Sequence, residues 1–166
     1  MKKLNILKTI VDLSWIFLTP VILIILLAIP YILFVDNSNY YDIHISGFSI
    51  KSIDFPTKIL IVTEMLSYLI LIYCVYIFGK ILEYFQRHKI FDEFVLKNFN
   101  KMGVLLVVCS FIMGISSILY EIFYAENVTL TFGFTPFLLC MGMFFMVLSE
   151  IFKISKNMKE ENELTI

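Results

Sequence analysis

Residues 15–35 read WIFLTPVILIILLAIPYILFV, an unbroken apolar run without a single charge, closed by Asp36. A helix rises about 1.5 Å per residue, so about 20 residues cross a hydrocarbon core about 30 Å thick. Three further stretches of the same kind follow at 59–78, 104–124 and 132–152. Each is long enough to cross a bilayer once and too short to cross it twice. This spacing predicts an all-α membrane protein, with four transmembrane helices in a bundle and one domain covering 1–166. The spans fall at about 10–35, 58–80, 103–124 and 132–154.

Composition agrees: 60% of residues are apolar and the mean hydropathy is +0.88, far outside soluble norms. The formal net charge of −1 hides an asymmetry in the 13 basic residues. Lys2, Lys3 and Lys8 precede the first span, Lys80, Arg87, Lys89, Lys97 and Lys101 lie around the loop after the second, and Lys153, Lys156 and Lys159 follow the fourth. Only Lys51 and Lys58 lie elsewhere. Basic residues stay on the cytoplasmic side, so the expected orientation has both termini inside. The outer loops are then 36–57 and 125–131, the cytoplasmic loop 81–102 and the cytoplasmic tail 155–166. The expected location is the inner or plasma membrane of a bacterium, whose lipid bilayer is the first partner. The first span is too long for the apolar core of a signal peptide, and no small-x-small site precedes Asp36, so it reads as a retained helix. Cys74, Cys109 and Cys140 fall in three different spans and read as packing residues. His44 and His88 lie in loops on opposite sides, so neither a metal site nor a cofactor is expected.

Two loops carry patterns of their own. Tyr41, Ile43 and Ile45 alternate with polar residues, Ser46-Gly47 interrupts them, and Ile50, Ile53 and Phe55 resume; residues 127–132 alternate in the same way. Period-two alternation about a glycine reads as a short hairpin, so a small β-cap on the outer face is one reading. An irregular loop lying on the headgroups fits equally well. Between spans two and three, Phe91, Val95, Phe99 and Met102 share one helical face, with Asp92, Glu93, Lys97, Asn100 and Lys101 around it. That pattern predicts an amphipathic cytoplasmic helix, more simply an interfacial anchor than a docking surface.

Ionisable residues inside spans are the strongest pointers to a site, because lipid solvates charge poorly. Asp12 and Glu150 sit at inner ends, within reach of Lys8 and Lys153. Glu64 and Glu121 sit toward the outer ends of spans two and three, at similar expected depth. Gly103, Ser110, Gly114, Ser117 and Glu121 make one stripe on helix three. Glu64, Ser67, Leu71 and Cys74 make one on helix two, and Thr135, Gly142 and Ser149 repeat every seven residues on helix four. Small and hydroxyl residues favour close helix contact in lipid, so the stripes should face inward. Glu64, Glu121, Ser67 and Ser117 form the candidate intramembrane polar site, where a carboxylate pair could hold a proton or a cation. The plainer reading gives each carboxylate a tyrosine hydroxyl, a backbone amide or interfacial water, and their expected position away from the midplane favours it.

Enzymatic signatures are lacking: no G-x-S-x-G, no H-E-x-x-H and no phosphate-cradling glycine loop occurs, so no catalytic residue is assigned and a non-enzymatic role is expected. Two segments do carry a resemblance. One is His88-Lys89-Ile90-Phe91-Asp92-Glu93, running on to Asn98 and Lys101-Met102-Gly103. The other is the close of the chain from Gly142, ending Glu160-Glu161-Asn162-Glu163-Leu164-Thr165-Ile166. Together they resemble a bacterial membrane family, domain of unknown function 2975, over nearly the whole chain. The resemblance implies four-helix inner-membrane proteins without an assigned activity, many encoded beside a small helix-turn-helix regulator. A sensory or regulatory partner of such a cytoplasmic DNA-binding protein is the expectation, with no direct nucleic-acid binding. Phe91, Asp92, Glu93, Asn98, Glu160 and Glu161 are then the candidate partner surface. The alternative is a small homo-oligomeric transporter or channel using its intramembrane carboxylates.

Overall fold

The computed structural model describes residues 2–34, 43–45, 48–50, 54–124 and 133–164. Four long helices dominate: α1 (Lys2–Phe34), α2 (Phe55–Gln86), α3 (Glu93–Tyr124) and α4 (Thr135–Leu164). Between α1 and α2 lie two three-residue strands, β1 (Ile43–Ile45) and β2 (Phe48–Ile50), antiparallel with Ile43 opposite Ile50. All four helices are long and apolar enough to cross a bilayer.

The expected amphipathic helix between spans two and three does not exist as a separate element. α2 runs on to Gln86 and α3 begins at Glu93, so both helices, at 32 residues, extend about 48 Å. The reversal is a tight helix stop followed by a helix start. Lys89 N–H donates to the Tyr84 carbonyl (3.0 Å) and His88 N–H to that of Phe85 (3.1 Å), with His88 at φ 58. This is a Schellman ending, in which a left-handed residue lets the last carbonyls find donors. Asp92 then caps α3, its Oδ1 accepting the Phe94 N–H at 2.8 Å. Tyr84 stacks on Phe94 with ring centroids 4.4 Å apart, closing the hairpin. The apolar face of the segment lies against protein: Val95, Phe99 and Met102 are buried. Phe99 is stacked between Phe145 (6.0 Å) and Phe152 (5.7 Å) of α4, with Phe85 of α2 tilted against it (6.0 Å). Neighbouring helices, rather than headgroups, take up its amphipathicity.

Among the described residues the extended backbone seams join consecutive helices, while α2 and α4 also meet through Phe78–Phe145 (6.4 Å) and Phe85–Phe152 (6.2 Å), so α2, α3 and α4 share one core with α1 at its side. Side-chain contacts set their heights. Gln86 Nε2 donates to Asn5 Oδ1 (3.2 Å), Trp15 lies on Tyr76 (5.2 Å) and Lys58 Nζ reaches the Leu33 carbonyl (3.4 Å), giving an antiparallel α1–α2 pair. Lys101 Nζ donates to the Tyr73 hydroxyl (2.8 Å) and Cys109 Sγ to the Ser67 carbonyl (3.5 Å) across α2–α3.

The α3–α4 seam is the tightest. Ser149 Oγ donates to the Leu96 carbonyl (2.8 Å) and Ser110 Oγ to that of Thr135 (3.0 Å). Midway, a Cβ on Gly103 would stand 2.7 Å from the Gly142 carbonyl, and one on Gly142 2.8 Å from that of Gly103, so the backbones touch. These contacts recur every seven residues on both helices, the repeat that keeps two helices in register along a left-handed seam. The small-residue stripe of helix four is this seam.

The antiparallel strand pair is the short hairpin that the period-two alternation predicts, and among the described residues it shares no extended seam with the helices. Three residues per strand offer too little face to bury. The other half of the expected β-cap, 127–132, lies outside the described residues.

Candidate functional site

The interhelical contacts place the charges in two rings. On one side Asp12, Lys80 and Glu150 share a level, with Lys97 close by and Lys101 one turn deeper, its ammonium over the Tyr73 ring at 4.9 Å. On the other side are Asp54, Lys58 and Glu121. Lys58 and Lys80 are separated along α2 by about 33 Å of helix rise, the thickness of a hydrocarbon core. The helices continue past the first ring, so that side ends in a helical platform outside the apolar layer.

On this frame Glu64 and Glu121 do not meet. Ser67 faces Cys109, so Glu64 stands near Ile112, about 14 Å along the helix axis from Glu121 at one residue per 1.5 Å. Glu121 is buried at the ring that holds Asp54 and Lys58. Glu64 lies about 9 Å inside the layer, counted from Lys58 at the same rise. The expectation of equal depth thus gives way, because span ends read from hydropathy do not carry the relative height of two helices. Glu64 is 2% exposed, and its Oε2 is buried with no hydrogen-bond partner. Cys109 is within its electrostatic reach. Ser67 is fully buried, with its hydroxyl donating to the Thr63 carbonyl of its own helix (3.0 Å). Ser117 is half-buried toward the Glu121 end, and the neighbouring Ser116 is the more deeply buried hydroxyl. The polar site is therefore Glu64 with Cys109 and Ser67 in the α2–α3 seam. Cys109 had no signal in the sequence beyond its apolar surroundings.

At the opposite end two of the six candidate partner-surface residues, Glu93 and Glu160, are bridged by Lys156, which that set did not include. Lys156 pairs with Glu93 (3.4 Å) and with Glu160 (3.6 Å), while Lys97 also reaches Glu93 (3.7 Å). The turn and the tail are thereby joined. Asp92 is occupied as a helix cap, Asn98 donates to the Phe94 carbonyl (2.8 Å), and Phe91 meets Phe152 edge-on (6.3 Å). Those three hold the hairpin in shape. Glu160 and Glu161 stand exposed on α4. From the level of Asp92, α4 continues to Leu164, about 17 Å past the start of α3.

Four apolar helices bracketed by two charge rings define a multi-pass membrane protein. The chain belongs to the family described as protein of unknown function, DUF2975, whose profile matches residues 12–166. No curated protein and no solved structure matches it.

Proposed function

We propose that this chain is a non-enzymatic membrane partner of a cytoplasmic protein, docked at the end that carries the α2–α3 turn and the last turns of α4. The carrying observation is the overshoot of α4: residues 157–162 are exposed, Met158 among the acidic and amide side chains. A helical end of this length is marginal in water without packing, and an apolar residue on it offers a partner a foothold. The basic asymmetry supports a cytoplasmic position for this end, with both termini inside. The family resemblance supplies the class of partner, a helix-turn-helix DNA-binding regulator. The test is in-cell cross-linking from position 158 or 161, read together with transcription of the regulator's targets. A cross-link to a DNA-binding protein, lost in Glu160→Lys/Glu161→Lys along with the transcriptional response, is the expected result. Unchanged transcription on deletion of this chain would refute the role.

A second reading rests on Glu64, the carboxylate inside the apolar layer. An intramembrane acid with an unpartnered oxygen suits binding of a proton or small cation in an oligomeric transporter, since four helices alone enclose no pathway. Proteoliposome flux abolished by Glu64→Gln supports it. Equal flux in that variant, or none in the unaltered chain for protons and alkali cations, removes it.

A further inference from the structure

The α3–α4 pair opens into a cleft of about 450 Å³ at the charge ring that holds Glu150 and Lys97, beyond the Gly103–Gly142 contact. Its walls carry Glu93, Lys97 and Asn100 from α3 and Glu150, Lys153 and Asn157 from α4, among others. A groove of about 320 Å³ adjoins it, sharing Asn100 and Glu150 and otherwise lined by Met146, Val147, Ile151 and Ile154. Polar cleft and apolar groove are thus continuous, and they lie where headgroups meet hydrocarbon.

The charges of the cleft are unevenly engaged. Glu93 is held by Lys97 and Lys156, and Lys156 also holds Glu160. Lys153 and Glu150 remain, one helical turn apart, and among the described residues neither has an ion-pair partner. One available cation beside one available carboxylate matches a zwitterion. An anionic headgroup would set a second negative charge against Glu150. A quaternary ammonium could not donate a hydrogen bond to that carboxylate, and no aromatic side chain lines the cleft to hold it by its face.

We propose that the cleft and groove bind one phospholipid whose headgroup carries a primary ammonium beside its phosphodiester. Lys153, with the amides of Asn100 and Asn157, takes the phosphate. Glu150 takes the ammonium, and one acyl chain lies along Met146, Val147 and Ile151. The inference stands apart from the docking role, which uses the tip of α4 and the turn. The test places the full chain in phosphatidylglycerol nanodiscs doped with either phosphatidylethanolamine or phosphatidylcholine, and counts the lipids it retains by native mass spectrometry. Phosphatidylethanolamine should be retained about tenfold over phosphatidylcholine, the worth of one charge-assisted contact, and Glu150→Gln or Lys153→Gln should erase the preference. Equal retention of the lipids, a preference for phosphatidylglycerol, or unchanged selectivity in both variants overturns the proposal. Displacement of the lipid by free phosphoethanolamine at millimolar concentration would assign a soluble ligand and overturn it equally. The comparison on the unaltered chain decides the matter even if a variant fails to fold.

Discussion

His88 shows how much one residue can hide. Its left-handed backbone ends α2, yet histidine at that position gives no stop signal of the kind glycine would. The segment 81–102 therefore read as a loop with its own helix. Left-handed backbone costs a non-glycine residue about 1–2 kcal/mol, partly returned in glycine by its larger unfolded-state entropy. His88→Gly should therefore raise the thermal stability of the detergent-solubilised chain, by roughly 0.5–1 kcal/mol. His88→Val, β-branched and worse in that region, should lower it. Circular-dichroism melts of the two variants check the sign, and a stabilising valine would rule out the left-handed stop. Glu64 was legible as a residue but not as a depth: its acid was visible in a stripe, while its separation from Glu121 required the partner helix.

For the elements, helical periodicity served well wherever it could be counted on one helix. The seven-residue spacing of Thr135, Gly142 and Ser149 named a contact stripe, and the structure seats it on Leu96, Gly103 and Ser110 of α3. Which neighbour it would meet was not legible, because the stripe carries no mark of its partner. The close approach makes a testable contrast among glycines. An alanine at Gly103 would put Cβ 2.6 Å from Met146 Cγ and 2.7 Å from the Gly142 carbonyl, so backbone must move. Overpacking of this kind costs about 1–3 kcal/mol. At Gly79 the nearest atom, Val11 Cγ1, is 3.4 Å away, an ordinary contact. Gly103→Ala should lower the melting temperature, while Gly79→Ala should leave it unchanged or raise it slightly through helix propensity. Equal melting temperatures for the two variants would contradict the backbone contact.

In the molecule as a whole α1 lies beside a core shared by α2, α3 and α4, and the first and last helices are held unequally. Ile25 is the one buried residue among the described positions of α1, whereas α4 shares its whole middle with α3. Lipid offers no hydrophobic drive for helix association, so a helix without close small-residue packing is weakly held. If a protease site is placed between residues 37 and 38, or separately between 128 and 129, cutting should free α1 in a milder detergent than is needed to free α4. Size-exclusion chromatography of the cut chains reads the order of release. Release of α4 first would mean that the α3–α4 seam is weaker than its geometry implies. The exposed apolar face of α1, including Phe17, Leu27 and Phe34, belongs against lipid tails.

Sequence alone determined the solvent, the number of helices and the sides on which charge gathers. Those follow from apolar length against a fixed bilayer thickness and from the cost of charge in hydrocarbon, both summed along one strand of chain. Tertiary structure decided which helices share the core, the height of Glu64 and the meeting of turn and tail through Lys156. Each of these depends on how one helix slides and turns against another, and contacts between residues far apart in the chain set that register.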